Sequence, residues 1–425
     1  MRSSEKARTS TTAFADRVAT AAMAAYHSSE SSTSSTSGQI CLSSILSHDN
    51  LTDELTVLSF GVGNKFLDDD PPPDSPDSTS SSNTAVRDMH AEILAVRSFR
   101  KFLLSQMLTP ATPPFLSVGG RLGGVSFSSP GKFELPPSLT LHLYSSSAPC
   151  GDSVVRHWAK GGTLPYSPPT ATASPWPPPE HPKTFASAID KGQFALLHKG
   201  GARANDPPAD PTNRVPPPPG TAYATPDSNP TRIHTCSDKI LLYNYLGIQG
   251  SLLAELLETP LFLTSIIVGR KHSDRHVERA VCCRGTYKPK SQRAHNPPVR
   301  HISCMGTSVI LDSSTLQTSA LATATAAAAG AVFSAACTGA WLAAHGEFEI
   351  DELNGLTGYL NDGQASRIST SHLFSDYCTL KSVPCDLVDL PRLKKQAPTA
   401  ALKRHLMETH GLFKHWSWKL RDDSS

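Results

Sequence analysis

The chain has almost no excess of charge of either sign: 39 Lys and Arg stand against 37 Asp and Glu, a formal net charge of +2 at pH 7. That removes any global electrostatic case for nucleic-acid binding, so affinity for a polyanion has to come from local basic clusters. No apolar run opens the chain, because Met1 to Ala13 is polar and charged, and a secretory leader is not expected. The nine cysteines form no repeating framework and are odd in number. Reduced thiols are therefore expected, which places the protein in the cytoplasm or nucleus and not among secreted proteins. Long runs of Leu, Ile, Phe and Val are missing too. The uncharged stretch before His345, from Thr318, is long enough to cross a bilayer but is mostly Ala diluted by Ser, Thr and Gly. Spanning helices draw their insertion energy from larger apolar side chains, so no membrane span is expected. There is no internal repeat, and nothing calls for an obligate protein partner.

What the chain has in quantity is proline, 35 residues in 425, together with Ser-rich tracts. Such segments bury too little apolar surface to offset the entropy of ordering. Residues 1–12 are expected to be a disordered N-terminus and 13–421 one domain, interrupted by disordered insertions at 28–38, 68–84, 163–182 and 206–230. Between them the pattern is that of a folded protein. Phe14, Val18, Ala21, Ala22 and Ala25 fall at helical spacing within Ala13 to Tyr26. Gln39 to Leu46 and Glu54 to Gly61 read as the strands of a hairpin. Val86 to Met107 reads as a buried helix with one basic edge at Arg97, Arg100 and Lys101. Leu139, Leu141 and Leu143 alternate with polar residues in a strand that stops at Ala148-Pro149-Cys150-Gly151. Ser237 to Tyr245 reads as a helix, followed by buried apolar segments over Leu252 to Val268.

Three short motifs carry the chemistry. His90-Ala91-Glu92 lies near the start of the buried helix, Pro149-Cys150-Gly151-Asp152 at a strand end, and Cys236-Ser237-Asp238-Lys239 at a helix start. A catalytic zinc needs three N or S ligands and an open fourth position, which His90, Cys150 and Cys236 supply. Glu92, two residues past His90, is close enough to serve as a proton shuttle without being a ligand. Helix N-termini favour the thiolate form that binds metal, which helps both cysteines. In the cytidine-deaminase pattern the second Cys follows the first as P-C-x-x-C, whereas Ser153 stands there in this chain and Cys236 comes 86 residues after Cys150. Each motif alone has a plainer reading, a structural His beside a carboxylate or an inert buried thiol.

With Gly247-Ile248-Gln249-Gly250-Ser251 following, these motifs in this order resemble the adenosine-to-inosine editing deaminase domain. That family includes the tRNA-specific adenosine deaminases and the adenosine deaminases acting on RNA, and the resemblance runs from about Asp16 to about Lys419. It implies an α/β fold of the cytidine-deaminase-like kind, a mixed sheet covered by helices, completed by a C-terminal helical part. It implies zinc-dependent hydrolysis of adenosine to inosine in RNA. A chain of this length without a double-stranded RNA-binding domain resembles the tRNA enzyme, which acts on the adenosine 3′ of the anticodon in alanine tRNA. Gly61-Val62-Gly63-Asn64-Lys65 resembles the family's Gly-rich strand end, making Asn64 and Lys65 the substrate-contact candidates.

The resemblance also implies a buried inositol hexakisphosphate. Matching positions are Arg97, Lys239, Lys394, Arg404 and Lys419, with Ser251 and Trp416 as neutral contacts, and Asp88 resembles the relay carboxylate that links Lys239 to the metal site. Departures occur at Val96, at Leu242-Tyr243 where the family has Arg-Trp, and at Thr370 where it has Lys. Cys41, Cys282, Cys283, Cys304, Cys337, Cys378 and Cys385 lack ligand spacing to a His and read as core thiols. Two other readings stay open: an editor of messenger or double-stranded RNA, and a non-catalytic RNA- or inositol-phosphate-binding protein on a decayed deaminase scaffold.

Overall fold

The strand-forming stretches on either side of Asn50 pair as expected. Strand β1 (Leu42–Asp49) runs antiparallel to β2 (Glu54–Val62), joined by a turn in which Asp53 takes a left-handed φ of 59°. Asp tolerates that region better than most side chains. Its carboxylate is held there by Arg17 at 2.9 Å and His48 at 2.8 Å. The register slips between Ile45 and Leu46, which face Ser59 and Val57, so Leu58 is an extra residue in β2. That bulge reverses the alternation of faces. Leu55 and Val57 before it, and Phe60 and Val62 after it, all join the same apolar cluster.

The computed structural model describes residues 2–29, 41–67, 83–110, 114–118, 132–151, 153, 234–283, 299–311, 336–342, 347–355, 357–409 and 413. The expected insertions 163–182 and 206–230 lie outside these residues. Of 68–84 only residues 83 and 84 are described, and of 28–38 only 28 and 29, both in the first helix.

Two compact units are present. The first comprises Met1–Ser147, Gly247–Arg270 and Met305–Ala400. It contains nearly all of a seven-stranded sheet in the order β11-β10-β2-β1-β7-β8-β9. Here β7 is Leu139–Ser147, β8 Leu263–Arg270, β9 Ser303–Gly306, β10 Ala336–Leu342 and β11 Glu347–Leu353, while β5 (Ser117–Val118) and β6 (Phe133–Glu134) pair separately. The sheet is mixed, with antiparallel pairs throughout β11-β10-β2-β1-β7 and a parallel β7–β8 pair. Helices cover both faces. Helix α1 (Arg2–Ser29) lays Ala15, Val18, Ala19, Ala22 and Tyr26, one face at helical spacing, onto Leu42, Leu46, Phe60 and Val62. The helix starts at Arg2, within the stretch expected to lack structure, because Glu5, Lys6, Ala7 and Arg8 are good helix formers and extending a helix is easier than nucleating one.

The opposite face carries α2 (Ala91–Leu108), 13 of whose 18 residues are buried. It begins five residues later than the apolar pattern predicts. Asp88–His90 is instead strand β4, paired with β3 (Asn64–Phe66), and the Val86 N–H donates to the Gly358 carbonyl at 2.8 Å. The backbone bonds of 86–90 therefore go to neighbouring strands and loops, leaving His90 as the extended N-cap of α2. Gly61 allows α2 its approach: a Cβ there would lie 2.4 Å from Leu94 Cβ and 2.6 Å from the Ala91 carbonyl oxygen. The basic edge of α2 is used for docking, with Arg100 Nε donating to the Ile248 carbonyl at 2.9 Å and Lys101 pairing with Asp376 at 2.7 Å.

The second unit comprises Ala148–Leu246, Lys271–Cys304 and Ala401–Ser425. Its described part is built on α3 (Cys236–Leu246), α5 (Asp274–Val281) and most of α8 (Pro398–Thr409). Leu241, Leu242, Tyr245, Leu406, Met407 and Phe413 form its apolar cluster. The remaining helices, α4 (Gly250–Leu256), α6 (Thr370–Lys381) and α7 (Leu390–Gln396), belong to the first unit. Among the described residues no helix is long and apolar enough to cross a membrane.

Candidate metal centre

Local structure places each donor. His90 is buried, and its backbone N–H donates to Asp88 Oδ1 at 3.2 Å. Asn64 stands directly opposite His90 in the β3–β4 ladder and Lys65 opposite Met89, so the substrate-contact candidates share a ribbon with the histidine. Glu92, in the first turn of α2, is 6% exposed. A carboxylate is tolerated there because the helix N-terminus supplies a favourable field and donors. Ser145, on β7, donates to Glu92 Oε1 at 3.5 Å. The sequence reading did not single out Ser145, whose only signal is a polar residue facing inward in an apolar strand.

The chain leaves β7 at Ser147 and reaches Cys150 three residues on. Gly151 follows with φ 97°, and a Cβ there would lie 2.2 Å from Thr235 Oγ1, so only glycine lets segment 150–151 run against segment 235–236. Thr235 opens α3 with a reciprocal cap, its hydroxyl donating to Asp238 Oδ2 at 2.7 Å and accepting from the Asp238 N–H at 3.4 Å. Asp238 is thus spent on the helix start. Cys236, fully buried, is the first residue of α3, and its backbone N–H donates to Cys150 Sγ at 3.3 Å. Such a bond stabilises a thiolate. Ser237 N–H donates to the Cys150 carbonyl at 3.1 Å, which fixes the two cysteine segments together. Ser153, at the position of the second cysteine in the P-C-x-x-C pattern, donates to the Pro149 carbonyl and is bonded to Ser237 Oγ at 3.1 Å. It buttresses the turn.

The imidazole of His90 and the thiols of Cys150 and Cys236 offer ligand atoms that all lie within 4.8 Å of one another. One nitrogen and two sulfurs are a donor set that zinc accepts.

The described residues expected to hold a polyanion lie on five different helices. Arg97 donates from Nε and Nη2 to the Ile368 carbonyl, at 2.9 and 2.6 Å, and from Nη2 to Thr370 Oγ1 at 3.3 Å. Lys239 and Ser251 are half-buried, while Lys394 and Arg404 are exposed. Leu242, where the family has Arg, packs in the apolar cluster with Tyr245 and Leu406. Val96 is buried in α2, and Trp416 and Lys419 lie outside the described residues.

A histidine and a buried, non-ligating glutamate entering one helix, with two cysteines completing the donor set, is the arrangement that deaminates nucleobases. The chain belongs to the adenosine-deaminase (editase) domain family, whose model matches residues 59–384. It is 30% identical over 257 residues to the double-stranded RNA-specific adenosine deaminase of Rattus norvegicus, covering 59% of this chain and 19% of that protein. It is 27% identical over 329 residues to the double-stranded RNA-specific editase Adar of Drosophila melanogaster, covering 76% of this chain and 40% of that protein. With the tRNA-specific adenosine deaminase 1 of Homo sapiens it shares 24% over 299 residues, covering 53% of this chain and 57% of that protein. The matches thus span well under two thirds of each relative's length.

Proposed function

We propose that this protein is a zinc-dependent hydrolase that converts adenosine to inosine in RNA, with a tRNA as substrate and the adenosine 3′ of the anticodon in alanine tRNA as its target. The observation that carries the reading is the donor set of His90, Cys150 and Cys236 with the buried Glu92 two residues past the histidine. Zinc held there supplies the Lewis acidity that brings a water's pKa to about 7. Glu92 takes a proton from the attacking water on a carboxylate oxygen and delivers it toward the departing amine, so that an oxygen joins C6 of adenine and ammonia leaves. The Ser145 hydroxyl, which also donates to the Ser147 carbonyl at 2.8 Å, lies beside that carboxylate, 3.5 Å from Oε1. Asn64 and Lys65, on the strand beside His90, contact the target nucleotide.

The tRNA assignment is supported by the likeness to the human tRNA-specific enzyme, which extends over 53% of this chain. Identity favours the second reading, an editor of double-stranded RNA, at 30% against 24%. Incubating the protein with an alanine tRNA transcript and with an unrelated RNA duplex, and mapping inosine at each adenosine, separates them. Inosine beside the anticodon supports the tRNA reading, and inosine confined to the duplex overturns it.

Inositol hexakisphosphate fits the described residues poorly. A buried polyanion needs dedicated cations, yet Arg97 is bonded to a backbone carbonyl, Lys394 and Arg404 face solvent, and Leu242 serves an apolar cluster. No step depends on it.

A further inference from the structure

The second unit brings together three donors that the editing chemistry does not use. Helix α5 ends at Val281, and Cys282 caps it, its backbone N–H bonding the Glu278 carbonyl at 3.0 Å. Cys283 follows, and His301 arrives on the segment leading into β9. Cys282 Sγ lies 3.5 Å from Cys283 Sγ and 3.5 Å from His301 Nδ1, and Cys283 Sγ lies 3.9 Å from that same nitrogen. All three offer ligand atoms to one ion.

Those separations match the edges of a zinc tetrahedron. With Zn–S near 2.3 Å and Zn–N near 2.1 Å, tetrahedral angles put two sulfurs about 3.8 Å apart and a sulfur and a nitrogen about 3.6 Å apart. A disulfide between the cysteines would need about 2.05 Å, far shorter than the 3.5 Å observed. Two thiols and an imidazole prefer zinc over the hard cations that oxygen ligands hold.

A further contact shows that this corner is fixed before any ion arrives. Asn244, inside α3, donates from its one side-chain amide to the Val281 carbonyl at 3.3 Å and to the Arg300 carbonyl at 2.6 Å. These are the residues immediately before Cys282 and His301. A single buried amide therefore holds both halves of the cluster to the helix that begins at Cys236.

We propose that Cys282, Cys283 and His301 form a second zinc site, separate from that of His90, Cys150 and Cys236, which staples the end of α5 to the segment entering β9. Cys282 is buried, Cys283 half-buried and His301 exposed, so the ion is reachable from solvent and has a position left for water or another small donor. It exchanges more readily than an ion on the buried His90 and Cys236.

The test is zinc content of the purified full chain after equilibration with excess Zn2+ under reducing conditions and removal of free metal. Wild type should hold two equivalents, and Cys283→Ser and His301→Ala one each. Cys236→Ser, which alters only the first site, should also hold one, so loss of the first reading leaves the second testable. Loading with Co2+ should give thiolate charge-transfer absorption in Cys236→Ser that vanishes when Cys283→Ser is added. His301→Ala removes an exposed side chain and keeps the test valid if Cys283→Ser does not fold. One equivalent in wild type, unchanged in Cys283→Ser and His301→Ala, would overturn the proposal.

Discussion

Glu92 is a buried carboxylate in the first turn of α2 that supplies no ligand atom to the His90 cluster. Glu92→Ala should therefore retain its metal while inosine formation falls roughly 10²–10⁴-fold, the usual worth of a positioned acid/base group. Metal analysis and single-turnover assays on the same sample check both halves. His142 makes a second prediction. Burial, with a smaller contribution from nearby His48, pushes its pKa from 6.5 down to about 4. Its ring sits between the hydroxyls of Thr140 and Ser265, against Phe14. Because the unfolded chain binds the proton more tightly, the neutral ring's contribution is complete above about pH 6.5 and is lost as pH falls toward 4, about 3 kcal/mol in all. Denaturant midpoints of wild type should drop more steeply over that window than those of His142→Gln; parallel curves would contradict the account.

Among the elements, Gly61 and Gly151 show how closely backbone must approach backbone for the donors to assemble. Gly61→Ala places a Cβ 2.4 Å from Leu94 and should cost about 1–3 kcal/mol, read as a lower denaturation midpoint. Gly151→Ala adds a left-handed φ of 97° to a clash with Thr235 and should lower zinc affinity as well as stability, read by competition with a chromogenic chelator. The hairpin of β1 and β2, the buried α2 and the strand ending before Cys150 were legible in the sequence, because apolar alternation and turn residues are local signals. The true start of α2 was not, since residues 86–90 are extended only through bonds to strand β3 and to Gly358. His90, Cys150 and Cys236, each with a plainer reading alone, were linked in the sequence by the order of their motifs and the family resemblance, and their ligand atoms do lie near one another. Cys282, Cys283 and His301 were not: adjacent cysteines with a histidine 18 residues beyond Cys283 match no common ligand spacing, and Asn244 brings them together.

At the scale of the molecule, the first unit holds a mixed sheet covered by α1 and α2, with His90 and Glu92 at the start of α2, and the second unit holds Cys150 and Cys236. For the RNA substrate proposed above, the near-balanced charge gives no broad attraction, and activity should depend on salt less steeply than for a strongly basic binder. Assays between 50 and 200 mM salt would check this, a loss of roughly 10³-fold or more marking many phosphate contacts instead. The central claim is metal-dependent deamination of RNA adenosine, and the direct measurement is inosine formed by the zinc-loaded protein, the same protein stripped by a chelator, and the stripped protein given zinc again. The account predicts inosine in the first, none in the second and recovery in the third. Inosine formation by folded protein shown to hold no metal, or none by folded protein shown to hold zinc at His90, Cys150 and Cys236, would contradict it.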